Sequence, residues 1–212
     1  MYIPAHFREN DQATLLEFIE RNSFGLLVSQ LDGQPFATHL PLLVDRDAAP
    51  GAALIGHVAR ANPQWRSTDR NVLAVFSGPH AYVSPSSLGA AGVVPTWNYV
   101  AAHVYGALEV VDDHEATLQI VRAITAFYEA AMPKPWTFDA GDEFIDKMAR
   151  GVVAFRIAIA RIEGKWKLNQ NHPRQRRQNV VDALSRRPDE DSQAIAALMA
   201  QDLARPDRPD ER

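Results

Sequence analysis

Cysteine is absent from the 212 residues, which excludes disulfides and thiolate metal sites. That absence fits a cytoplasmic protein. No apolar run is long enough to span a bilayer, so no membrane partner is expected. The opening MYIPAHFREND has no apolar region of the kind a signal peptide needs. Positive charge is not in excess: Lys and Arg number 22 against 26 Asp and Glu, a net charge of −4. A dedicated nucleic-acid binder usually shows a basic balance. Glycine-rich dinucleotide fingerprints, Walker loops and fixed-period repeats are all missing. The seven histidines show no HxH, HxxxH or HExxH spacing, so no metal site is expected.

What is present is ordinary globular material, 46% hydrophobic and 23% charged, and long enough to bury a real core. Asp11 reads as an N-cap for a helix running to about Arg21. Phe24 to Gln30 and Pro35 to Leu43 read as strands joined by an Asp32-Gly33 hairpin turn. Pro50-Gly51 punctuates a polar loop before a third strand, Ala53 to Val58. Asn71 to Ser77 and His80 to Ser84 read as two strands separated at Gly78-Pro79, followed by a loop from Pro85 to Val94. Trp97 to Val111 is a long strand, bent or bulged near Gly106. Glu115 to Met132 is amphipathic, with Leu118, Val121, Ile124, Thr125 and Tyr128 on one face. A second helix is expected over Gly141 to Met148. Gly151 to Ile162 alternates as a final strand, turning at Glu163-Gly164 so that Lys165 to Leu168 pairs back. Val180 to Leu184 is a helical turn, Ser192 to Leu203 a peripheral helix, and the last residues, ARPDRPDER, a disordered tail. About seven short strands with helices inserted late favour an antiparallel barrel with helices outside, in the α+β class but mainly β.

The segment GHVARANPQW carries the sharpest chemical signal. Arg60 is delivered by a strand to the mouth of a short helix, where Asn62 suits the N-cap and Pro63 the first helical position. A helix N-terminus beside a planar guanidinium suits a phosphate. GPHAYVSP and PTWNY add rings and hydrogen-bonding side chains, and the combination suggests a phosphorylated aromatic cofactor such as FMN. The cleft residues on this reading are Thr38, His39, His57, Tyr82, Ser84, Trp97 and Asn98. An asparagine between two rings can bond a ring edge while a neighbour stacks. Lys165 and Lys167 share a strand face and could balance a phosphate or the pyrimidine edge of a reduced flavin; a solvated, charge-protected edge strand explains them equally well. Gln170, Asn171 and Arg174 form a polar end able to reach a partner. No side chain stands out as an acid or nucleophile, so no catalytic residue is named and an FMN-dependent oxidoreductase activity stays open. Arg174, Arg176 and Arg177, with Arg186 and Arg187 later, form the only cluster that favours DNA, and no helix-turn-helix pattern accompanies them.

The segments MYIPAHFREND, FGLLVS, PFATHLPLLVD, GHVARANPQW, GPHAYVSPS, VPTWNYVAAHVYG and RIEGKWKLNQN resemble, in order, the PaiB-like proteins, a family of FMN-binding negative transcriptional regulators. The resemblance runs from Met1 to about Leu184. It implies a domain over 1–184, with 185–212 as a peripheral helix and flexible tail. It further implies an FMN-binding split β-barrel related to pyridoxamine-phosphate-oxidase-like proteins, and a homodimer with flavin at the subunit interface. The family continues its SPS segment with Trp-Tyr; here Ser86 is followed by Ser87-Leu88-Gly89-Ala90-Ala91-Gly92, which implies a more open pocket. Relatives of this barrel class include haem-handling proteins, so haem binding or degradation, with His39 or His57 as axial ligand, is the alternative expectation.

Overall fold

A computed structural model of the protein describes residues 1–49, 51–67, 69–88, 92–138 and 141–205. Its strands are β1 (Arg8–Glu9), β2 (Phe24–Leu31), β3 (Gln34–Pro41), β4 (Leu43–Asp45), β5 (Ala53–Ala59), β6 (Asn71–Val83), β7 (Thr96–Val110) and β8 (Val152–Lys167). Its helices are α1 (Gln12–Arg21), α2 (Pro85–Leu88), α3 (His114–Glu129), α4 (Glu143–Ala149), α5 (Arg174–Leu184) and α6 (Glu190–Ala204). Strand order is β3-β2-β6-β7-β8-β5-β4, with β1 also on β8. The pairings of β1 with β8, β2 with β3 and β6, and β5 with β4 and β8 are all antiparallel.

Contacts divide the chain into two compact units, and β6, β7 and β8 each contribute one part to either. The first unit holds Met1–Leu15, Ser77–Ala102 and the described residues from Glu163; the second holds Leu16–Phe76 and His103–Ile162.

In the second unit, Asp32 (φ 51°) and Gly33 (φ 74°) make the two-residue turn between β2 and β3, pairing Leu31 with Gln34. Positive φ at both central residues is the hairpin turn whose twist matches its strands. Gly106 marks a close approach: a Cβ there would lie 2.2 Å from the Ala158 carbonyl oxygen. Asp113 caps α3, accepting from the Ala116 N–H at 2.7 Å. Its buried stripe is Thr117, Ile120 and Ile124, one position round from the expected face, and Ile120 and Ile124 pack with Leu43, Ile55 and Ala154. Tyr128 lies at the exposed margin, its hydroxyl 2.7 Å from the Ser23 hydroxyl.

In the first unit, α5 packs on α6, and Val180, Leu184, Ile195 and Met199 are buried. The α6 helix buries Ile195, Ala196, Met199 and Leu203. Asp189 caps it by accepting from the Ser192 N–H at 2.8 Å.

Three expected breaks differ. Gly78-Pro79 lies inside a continuous β6 rather than between two strands. Glu163-Gly164 lies inside a continuous β8 rather than at a turn. A Cβ at Gly164 would meet Leu15 Cδ2 at 2.3 Å and the Glu9 carbonyl oxygen at 3.1 Å, so this glycine serves close approach of β1. The loop after Pro85 begins with the short α2, while Gly89 to Ala91 of the altered segment lie outside the described residues, as do Pro50 and most of the expected disordered tail. No helix among the described residues is long and apolar enough to cross a membrane.

Candidate functional site

Five of the twelve expected site residues fall in the second unit: Thr38, His39, His57, Arg60 and Asn62. The helix beginning at Pro63 is a single 3₁₀ turn, Pro63–Arg66. Asn62 caps it as expected, its Oδ1 accepting from the Gln64 N–H at 2.9 Å, while its Nδ2 donates to Thr38 Oγ1 at 3.0 Å. One 3₁₀ turn sums too few peptide dipoles to draw an anion. Positive potential here comes from side chains instead. Arg60 donates through Nε to the Arg150 carbonyl (2.8 Å) and through one terminal nitrogen to the Val152 carbonyl (2.9 Å). Its other terminal nitrogen has no hydrogen bond among the described residues. The guanidinium lines a cavity of about 500 Å³ with Trp65, Asp112, His114 and Arg150. Asp146 partly offsets this charge, pairing with His114 and, at 3.0 Å, with Arg150. Those two bonds, the His114 one foremost, hold the Asp146 carboxyl below the usual carboxylate range.

Gln64, which no sequence signal singled out, fixes the 3₁₀ turn. It is 2% exposed, and its amide donates to the Leu27 carbonyl at 3.0 Å and Ser29 Oγ at 3.1 Å. Trp65 Nε1 donates to the Arg60 carbonyl at 3.1 Å. His57 is half-buried on β5 with an unpartnered, buried Nδ1, and burial pushes its imidazole below the ordinary histidine value. His39 is exposed and stacks on Phe24. The structure thus joins Thr38 to Asn62 and aims Arg60 into the cavity; His39 and His57 are not among the residues lining it.

The other seven, Tyr82, Ser84, Trp97, Asn98, Lys165, Lys167 and Gln170, fall in the first unit. Asn98 is fully buried, its Nδ2 donating to Met199 Sδ at 3.3 Å on α6 and its Oδ1 without a hydrogen-bond partner among the described residues. Strand alternation explains this: Trp97 and Tyr99 take the opposite face. Trp97 is 52% exposed and sits beside Tyr82 (5.8 Å) and His80 (5.9 Å), an open aromatic group. Ser84 is occupied with the Ser86 hydroxyl at 2.8 Å. Gln170 closes a local turn, donating to the Trp166 carbonyl at 2.7 Å and accepting from the Leu168 N–H at 2.8 Å.

The two lysines are not solvated edge residues. Lys165 is buried, donates to the Tyr2 carbonyl at 3.1 Å and lies 5.2 Å from the Tyr99 ring centre. Lys167 is half-buried and donates to Thr96 Oγ1 and to the Trp97 carbonyl at 2.6 Å. Burial, and then Lys165, push its ammonium below the usual lysine value.

The arginine cluster is largely structural. Arg177 is buried against Asp202, Arg174 donates to the Leu203 carbonyl at 2.8 Å, and Arg187 to the Tyr82 carbonyl at 2.8 Å. Each of the three spends part of its guanidinium on the fold, Arg177 being the one that is buried. No group of three or more His, Asp or Glu residues among those described could hold a metal ion.

A family model described as "Putative FMN-binding domain" matches residues 1–161. The chain is 34% identical over 206 residues to "Protease synthase and sporulation protein PAI 2" of Bacillus subtilis, covering 96% of this chain and 98% of that protein. Among solved structures it is similar to the flavocytochrome Anf3 from Azotobacter vinelandii, with TM-score 0.60 and 13% identity over 78% of this chain and 72% of that one. It is also similar to the FAD and heme binding protein from Mycobacterium smegmatis, with TM-score 0.58 and 15% identity over 76% of this chain and 73% of that one. These likenesses establish the fold as the mainly antiparallel split β-barrel class with added helices.

Proposed function

Because the chain belongs to the FMN-binding family matched over residues 1–161, a family it shares with the Bacillus protein PAI 2, we propose that it binds FMN and acts as a flavin-dependent redox or sensor protein with a negative regulatory role. The observation that carries this reading is Arg60. Two backbone carbonyls fix its guanidinium, and its remaining edge faces a cavity of about 500 Å³. The Arg60 fork suits a phosphate; Arg150 and His114 line the same cavity, each paired with Asp146, and Asp112 lines it too. FMN, when bound, supplies electron transfer through its ring system. The protein's part is to hold the phosphate, orient the ring beside Trp65 and limit water.

A homodimer is part of this reading, supported by the exposed His80, Tyr82 and Trp97, rings of the kind enriched where subunits meet. So is a cytoplasmic location, supported by the lack of cysteine. Direct DNA binding through Arg174, Arg176 and Arg177 is not part of it, since two of the three hold α6. Regulation would then run through the flavin state or protein contact.

One observation favours a second reading, haem binding: the half-buried, unpartnered His57, kept neutral at pH 7 as an iron ligand must be. Titration with haemin separates the two. A Soret shift lost in His57→Ala supports haem, and its absence removes it. The FMN reading is tested by fluorescence titration of wild type and Arg60→Ala. Loss of one charge-assisted contact should weaken FMN by about tenfold or more. Unchanged affinity would move the phosphate elsewhere.

A further inference from the structure

The first unit holds its own cavity, of about 410 Å³, built where β7, the end of β8 and the start of α5 come together. Its polar side carries Lys167 and Arg176, and no carboxylate among the described residues lines it. Its apolar side carries Phe7, Val93 and Val94. Arg176 differs from its neighbour Arg177: its guanidinium makes no hydrogen bond or ion pair among the described residues. Lys167 donates to Thr96 Oγ1 and the Trp97 carbonyl, and an ammonium has three donors, so one stays open.

Asn169 is the decisive residue. It lines the cavity, is 2% exposed, and neither Oδ1 nor Nδ2 has a hydrogen-bond partner. A buried amide left unpaired costs free energy, and in a folded protein it calls for an explanation. Its backbone is also held at φ 62°, in the left-handed region. Asparagine tolerates that region better than most residues, but glycine tolerates it best. A position that keeps the costlier side chain, buried and unsatisfied, points to a partner for the amide. Burial, and then Arg176, push His172 below the ordinary histidine value, so the site's positive charge rests on Lys167 and Arg176.

The geometry points to a binding site for a small organic anion with an apolar body, its oxyanion set between Lys167 and Arg176 and its hydrogen-bonding edge on Asn169. The site goes beyond the flavin reading: it uses none of the residues assigned there to the phosphate. Two paired cations suit an oxyanion, the amide offers both a donor and an acceptor, and the valine and phenylalanine walls suit a ring or branched chain rather than a bare ion.

The test is calorimetric titration of the FMN-saturated full chain with benzoate, with neutral benzamide and inorganic phosphate as comparators. Benzoate should bind, and benzamide should bind about tenfold or more weaker for want of the charge. Arg176→Gln should weaken benzoate by about tenfold or more while leaving FMN affinity unchanged. Asn169→Gly, which keeps the left-handed backbone, should also weaken it. Failure of benzoate to bind, or equal binding by wild type and Arg176→Gln, would overturn the proposal. Benzoate binding to the FMN-free chain that is lost on FMN saturation would overturn it as a separate site. Phosphate binding as tightly as benzoate would overturn the role given to the apolar wall.

Discussion

The surroundings of Arg60 and those of Arg176 make an instructive pair. Around Arg60 most donors are satisfied from within: Asn62 bonds Gln64 and Thr38, the Gln64 amide nitrogen donates to β2, and Arg60 itself donates to two carbonyls with one edge left over, while Gln64 Oε1 has no partner among the described residues. Around Arg176 the reverse holds among the described residues, with a guanidinium that has no hydrogen bond or ion pair, an ammonium with an open donor and a buried amide without a partner. The first arrangement builds a rigid scaffold that presents a single charge. The second leaves bonding capacity for something else. Adjacent residues on α5 show how local the difference is: Arg177 is locked to Asp202, and Arg176 is not.

That contrast orders the expected effects. Arg177→Ala should be the most damaging, since it strands the half-buried Asp202 carboxylate without its partner. A loss of roughly 3–5 kcal/mol in chemical denaturation is expected, and a change under 1 kcal/mol would contradict a structural role. Gln64→Ala should cost about 2–3 kcal/mol by leaving buried acceptors on β2 unpaired, again read from denaturation midpoints. Histidine titration gives a smaller effect with a defined sign. The folded values of His57 and His172 lie below the unfolded one, so the unfolded chain binds more protons below it. Stability should be full above about pH 6.5 and fall as pH drops below that value. Replacing His57 by Gln should flatten the decline in thermal midpoint between neutral and mildly acidic pH, and an unchanged profile would assign it elsewhere. Arg176→Gln should be the mildest, within about 0.5 kcal/mol of wild type, because its guanidinium makes no hydrogen bond or ion pair among the described residues.

Legibility in the sequence followed the range of the interaction. Asp11 and Asn62 as caps and Asp32-Gly33 as a hairpin turn were readable, because each acts within a few residues of itself. The two glycine signals that misled, Gly78-Pro79 and Glu163-Gly164, carry turn composition. At Gly164 the missing side chain makes room for Leu15 and β1, a reason invisible in local sequence. Asn98 stands between two rings in the sequence, and strand alternation sets it on the buried side with its Oδ1 unpartnered among the described residues. Gln64 and Arg177 were missed as structural residues because their partners lie 37 and 25 positions away. Asn169 did leave a trace: an asparagine directly after a strand is a natural occupant of the left-handed region.

Titration of FMN against the purified full chain, followed by quenching of flavin fluorescence and by the visible spectrum, bears most directly on the central claim. Saturable quenching that weakens about tenfold or more in Arg60→Ala is the predicted result. No quenching by wild type, or quenching identical in the variant, would contradict it.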